Sequence, residues 1–359
     1  MNRVVFVLMT MVLFTGAVTG CNEKIDNSEN KKENNQHIIF NTAYEKLENQ
    51  EESDVKLPYG IKEIEMDLAI SGGRKLPGKL TLPQNGSNFP CIVLVHGSGP
   101  NDMDETVFEN KPFRDLAWGL AEQGIATYRY DKRTKVYRND LAKDYKLTLD
   151  DEVVYDAVDA VDMLLNVDYI NKDKIYLLGH SLGGYSIPRI AEKSINSVGY
   201  IIMAGNVRGI DELIKEQYDY LVNFDGVISL EEQLQIDALE LELKKIHSIN
   251  SLNSKTVVLG AYKEYWKDLL SYNPIKLAKE INKPVLVLQG ERDYQVTITE
   301  YNLWKGAFGN IDNWTFRLYP DLNHLMIKGE GKSNPSEYMI KGNIDKKVIS
   351  DIEKWIGNQ

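Results

Sequence analysis

Cysteine is nearly absent from this 359-residue chain: Cys21 and Cys91 alone are too few for a disulfide framework, and neither has metal-ligand spacing. Positive charge is also short. Forty-two Lys and Arg face 53 Asp and Glu, a formal net charge of −11. Phosphate backbones demand clustered cations, so no nucleic-acid partner is expected, and charge alone would not hold the chain on an anionic membrane. Histidines number five, which keeps the search for a general base short. No internal repeat is visible. The remaining composition is that of an ordinary globular protein.

The first twenty residues stand apart. Arg3 supplies a positive start, Val4 to Phe14 form an apolar run broken only by Thr10, and small residues follow to Gly20. Such a run is too short and wrongly flanked to span a membrane, and reads as a secretory signal over 1–20. Its end, Val18-Thr19-Gly20-Cys21, resembles the lipobox of bacterial lipoproteins. That resemblance implies a lipidated Cys21 as the mature N-terminus, hence an extracytoplasmic protein held to the cell membrane by acyl chains. Residues 21–55 then read as a tether, since Asn22 to Gln36 offers only Ile25 for burial. A short semi-apolar piece, His37 to Leu47, is a helix candidate.

From residue 56 a single folded unit is expected to run to the end. Ile61 to Leu68 and Gly78 to Leu82 alternate like half-buried strands joined through Ser71-Gly72-Gly73. Strands and helices then take turns. Apolar strand runs fall at Cys91–Val95, Ala126–Tyr130, Ile175–Gly179, Tyr200–Gly205, Pro284–Gln289 and Trp314–Tyr319. Helical periodicity marks Phe113–Gln123, with Gly124 placed as its terminating glycine, then Asp150–Leu165 and Asp345–Ile356. Repeated strand-helix units predict an α/β fold with a mostly parallel sheet flanked by helices. Residues 206–282 break the rhythm with charged helical segments and are expected to form a helical cap. In its second helix Leu230, Leu234, Ala238 and Leu241 fall on one face, widened by Leu239, Leu243 and Ile246.

The sharpest motif is Gly179-His180-Ser181-Leu182-Gly183-Gly184, a G-x-S-x-G between an apolar strand and a helix. A nucleophilic serine needs a tight strand-to-helix turn, and glycines remove the Cβ clashes such a turn creates. Serine also needs a base. His37 lies in the tether, His96 and His180 inside backbone motifs ahead of the nucleophile, and His247 at the end of a cap helix. His324, after the last strand, fits the order serine, acid, histidine. The acid should close a strand between them. Asp293 does so, with Glu291 as the alternative; Asp312 and Asp321 lie too close to the histidine element. For the oxyanion hole, one donor is the N–H of Leu182 and the other comes from His96-Gly97-Ser98-Gly99-Pro100, assigned to Ser98 with Gly99 as the alternative. His96 itself reads as a packed, loop-shaping residue. Asp102, Asp104, Glu105, Arg129, Lys132 and Arg133 either line the substrate or form salt bridges that hold the loops.

These motifs, with Tyr130-Asp131-Lys132-Arg133, Gly290-Glu291-Arg292-Asp293 and Asn323-His324, resemble the α/β-hydrolase esterases related to dienelactone hydrolases, acyl-CoA thioesterases and prolyl oligopeptidase-type peptidases. The resemblance spans about residues 59 to 356 and implies the α/β-hydrolase fold. It also implies a serine esterase acting on a small-molecule ester through Ser181, Asp293 and His324, with no metal or organic cofactor. Thioester or amide hydrolysis on the same triad is the alternative, and a surface-anchored binding protein with a hydrolase fold is the rival from another class.

Overall fold

The computed structural model describes residues 56–359; the expected signal, Cys21, the expected tether and the His37 to Leu47 helix candidate lie outside them. Eight strands form one sheet: β1 (Ile61–Glu65), β2 (Gly78–Pro83), β3 (Phe89–Val95), β4 (Ala126–Tyr130), β5 (Ile170–His180), β6 (Gly199–Met203), β7 (Val285–Gly290) and β8 (Trp314–Tyr319). Their spatial order is β1-β2-β4-β3-β5-β6-β7-β8. β1 pairs antiparallel with β2, and β2 antiparallel with β4, while every later pairing is parallel. The expected α/β sheet is therefore present. One detail differs: the early hairpin is two nested hairpins, because Leu68–Ile70 turns back on Arg74–Leu76 across Ser71–Gly73 instead of extending β1.

The continuous apolar runs have a direct cause. In β3, Cys91, Val93 and Val95 enter the core on one face of the sheet, while Ile92 and Leu94 enter the core on the other. β7 repeats this with Val285 and Val287 against Leu286 and Leu288. A strand covered on both faces cannot alternate polar with apolar. The second core is closed by Phe113, Leu116 and Leu120 of α1 (Pro112–Glu122) and by Val348, Ile352, Trp355 and Ile356 of the C-terminal helix, Lys346–Gly357. The first holds α2 (Tyr155–Leu164) and α3 (Leu182–Lys193). Pro112 opens α1, and Gly124, at φ +85°, follows its end as expected.

Between β6 and β7 the chain forms α4 (Ile210–Val222), α5 (Leu230–His247), a two-stranded ladder (Val257–Val258 with Ala261–Tyr262) and α6 (Lys263–Ser271). A capping box of Ser229 and Glu232 starts α5. The expected apolar face of α5 is corrected here. Leu239, Leu243 and Ile246 are buried, whereas Leu230, Leu234, Ala238 and Leu241 face solvent. The helix carries two apolar stripes, and packing uses the second.

Candidate active site

β5 ends at His180 and α3 begins at Leu182, so Ser181 makes the whole turn, at φ 52° and ψ −116°. A serine held there stores about 1–3 kcal/mol of backbone strain, which the surroundings must enforce. They do. The Ser181 N–H donates to the Met203 carbonyl at 3.0 Å, and its carbonyl accepts the Tyr185 N–H at 2.9 Å. The glycines serve close approach rather than unusual φ. A Cβ on Gly179 would lie 2.3 Å from Gly183, and one on Gly183 would lie 2.2 Å from the Val95 carbonyl oxygen. α3 is thereby pressed onto β3 and β5 with its N-terminal N–H groups beside Ser181.

Asp293 and His324 meet across two loops. After β7, the buried Asp293 turns its Oδ1 to the N–H groups of Gln295 and Val296, at 2.8 and 2.9 Å. Its Oδ2 contacts His324 Nδ1 at 2.7 Å and accepts the Gln289 side-chain amide at 3.2 Å. His324 sits on the loop after β8, where Asn323 Oδ1 accepts the N–H groups of Leu325 and Ile327. Glu291, the alternative acid, is exposed one turn earlier, and Asp312 and Asp321 are exposed as well.

Ser98, Gly99 and Leu182 line one cleft of about 740 Å³, mouth included, whose far wall is Leu259 to Tyr262, Tyr265, Trp266 and Leu269 of the insertion. The 206–282 segment thus shares its cleft with the residues expected to donate to an oxyanion. Gly97 is packed against the elbow: a Cβ there would be 3.2 Å from Ser181 Cβ.

The remaining histidines sort cleanly. His247 contacts Asp211 at 3.1 Å and is largely exposed. His96 is buried against Phe113 and Tyr130 with its Nε2 on the Asp102 carbonyl, and burial brings its pKa down to about 4. Among the loop charges, Asp104 and Glu63 bind Arg129, and Asp156 binds Arg133, so their salt-bridge reading holds. Cys91 is a buried core thiol.

The structure gives His180, inside the serine motif, a role of its own. Its Nδ1 faces Glu105 Oε2 at 2.8 Å and its Nε2 faces the His324 carbonyl at 3.0 Å. A carboxylate and a carbonyl only accept, so the geometry favours a proton on each ring nitrogen, the imidazolium form of His180. Burial opposes that charge, but Glu105, the His324 carbonyl and Asp293 outweigh it and raise the His180 pKa. Glu105, equally buried, is held below the usual carboxylate range by His180, and its Oε1 takes the Gly97 N–H at 2.6 Å. Through His180, next to Ser181 in the chain, the loop after β3 is tied to the loop after β8. The only sequence signal was the acidic cluster Asp102 to Glu105, and nothing in it pointed 75 residues ahead.

Comparison with known proteins agrees with this architecture. A family model described as esterase FrsA-like matches residues 27–217. Esterase EstD of Thermotoga maritima is 41% identical over 292 residues, 81% of this chain and 67% of that protein. Est1E from Butyrivibrio proteoclasticus superposes with a TM-score of 0.51 at 16% identity, covering 82% of this chain and 99% of that one. Pyrococcus horikoshii acylaminoacyl peptidase gives a TM-score of 0.54 at 15% identity over 84% of this chain, which spans only 42% of the peptidase. Those two structures share the α/β-hydrolase fold with it; the family match and the EstD relationship go further, and the chain belongs to the esterase FrsA-like family.

Proposed function

We propose that this carboxylic ester hydrolase works through Ser181, Asp293 and His324, with the N–H groups of Ser98 and Leu182 as its oxyanion hole. The observation that carries the reading is the buried 2.7 Å contact of Asp293 with His324 Nδ1, on a histidine whose carbonyl is bound by His180, the residue before a serine forced to φ 52°. Asp293 holds His324 as the tautomer with its proton on Nδ1, leaving Nε2 free to accept. His324 removes the Ser181 hydroxyl proton as Oγ bonds to the ester carbonyl carbon. The carbonyl electrons move onto oxygen, where the two N–H groups stabilise them. Collapse expels the alcohol, which takes the proton from His324. Water, deprotonated by the same histidine, then releases the carboxylic acid and restores Ser181.

The substrate is a small-molecule ester whose one side rests on the apolar insertion wall at Leu259, Trp266 and Leu269. Lipidation of Cys21, on the Val18-Thr19-Gly20-Cys21 motif, would place the enzyme outside the cytoplasm at the cell membrane. Acyl-CoA would be absent there, which favours oxygen esters over that thioester class. The test is hydrolysis of p-nitrophenyl esters from acetyl to dodecanoyl by the chain from residue 22 and by Ser181→Ala. Loss of several powers of ten in kcat is expected in the variant, whereas equal rates in both proteins would refute the triad. The full-length chain should partition with detergent and lose that property on Cys21→Ala; unchanged partitioning would refute the anchor.

A further inference from the structure

Lys132, just after β4, is 2% exposed, and its charge is used twice. Its Nζ donates to the Gly97 carbonyl at 2.8 Å and to Glu152 Oε1 at 2.5 Å. The other oxygen of Glu152 accepts the Tyr265 hydroxyl at 2.7 Å, and Tyr265 belongs to α6 in the insertion. The Gly97 carbonyl and the Ser98 N–H are two ends of one planar peptide unit. Fixing the carbonyl oxygen fixes the direction of that N–H, and an ammonium on the oxygen polarises the unit so that its N–H donates more strongly. Glu105 holds the preceding peptide unit through the Gly97 N–H at 2.6 Å. A glycine free to rotate is thus gripped on both sides by buried charges.

We propose that Lys132 is a positioning residue for the oxyanion hole, setting and polarising the Gly97–Ser98 peptide, and that Glu152 and Tyr265 couple this setting to the insertion. The proposal rests on the serine-hydrolase reading given above. Glu152 and Tyr265 line the same cleft as Ser98 and Leu182, so a substrate group that touches Tyr265 contacts the far end of the chain that orients the donor. A purely structural ion pair would make a different prediction: neutral replacements that preserve the fold would preserve turnover.

The experiment uses the double variant Lys132→Met/Glu152→Gln, which removes both buried charges together, because Lys132→Met alone would strand Glu152. Lys132→Arg, which keeps the charge but presents its donors on a larger planar group, is the second variant and serves if the double one does not fold. Turnover of p-nitrophenyl acetate and inhibition by an aliphatic trifluoromethyl ketone, whose serine adduct carries an oxyanion, are measured for each. The expected result is a fall in kcat of about 10- to 100-fold, bounded by the loss of one oxyanion donor. KM should stay within about threefold, and the ketone should weaken in parallel with kcat. A folded variant with kcat and ketone affinity within about threefold of the parent would overturn the proposal. Ser181→Ala is assayed alongside: an active alanine variant would overturn the triad reading itself, while an inactive one beside fully active Lys132 variants overturns the positioning role alone.

Discussion

Asp293→Asn should disable the enzyme without disturbing its fold, and the local hydrogen bonds say why. The two oxygens of Asp293 face different neighbours. Oδ1 takes two backbone N–H groups, from Gln295 and Val296, while Oδ2 faces His324 Nδ1 and the Gln289 amide. An asparagine must therefore aim its carbonyl at the backbone pair, since the opposite orientation sets its NH2 against two N–H groups and forfeits two hydrogen bonds. Each is worth about 1.5–3 kcal/mol when the acceptor is charged, and about 1 kcal/mol when it is neutral. The amide nitrogen is then directed at His324 Nδ1. That nitrogen must become an acceptor, the ring proton moves to Nε2, and Nε2 can no longer receive the Ser181 proton. The same change in a serine protease triad costs about 10⁴ in kcat, or roughly 5.4 kcal/mol. The assay is kcat for p-nitrophenyl butyrate at neutral pH, with thermal melts to establish that both proteins are folded. A folded Asp293→Asn protein within about tenfold of the parent would refute the assignment.

Glu105→Gln should lower stability in a pH-dependent way. The raised pKa of His180 contributes stability that is fully present below its ordinary value of about 6.5 and is lost as pH rises through the folded one. The lowered pKa of Glu105 contributes above about 4.3 and is lost as pH falls through its folded value. The Tm gap between parent and variant is therefore widest near about pH 5 to 6 and narrows in alkali; a pH-independent gap would contradict the ion pair. Gly183→Ala puts a Cβ 2.2 Å from the Val95 carbonyl, and should cost about 3 kcal/mol in urea unfolding and open the elbow; near-parental stability would refute that packing. On α5, Leu239→Ala should cost about 2–4 kcal/mol and the exposed Leu234→Ala less than about 0.5 in the same measurement. The reverse ranking would return the helix to the face its sequence first suggests.

The parallel strands were legible because a strand covered on both faces must be apolar throughout, and Cys91–Val95 and Val285–Leu288 are. The proposed triad of Ser181, Asp293 and His324 follows from the sequence because the elbow needs its glycines and only one histidine follows the last strand; the structure adds the contact of Asp293 with His324. Glu105 was not assigned to its partner. Its distance from His180 along the chain carries no periodic signal, and burial of a charge pair depends on loops meeting in space. The face of α5 was misjudged for a different reason. Leu230, Leu234 and Leu241 form as regular a stripe as Leu239, Leu243 and Ile246, and amphipathicity cannot choose between two apolar faces. Contact with α4 makes the choice. The two nested hairpins near residue 70 show the same limit, since alternation marks strands without marking where one stops.

Covalent trapping tests the central claim most directly. The protein is treated with a fluorophosphonate, digested, and read by peptide mass spectrometry, with and without prior heat denaturation. The account predicts one phosphonylated site, Ser181, formed only on the folded protein, with hydrolytic activity lost in step with labelling. Full activity beside a quantitatively labelled Ser181, or a label on another serine with Ser181 untouched, would contradict it.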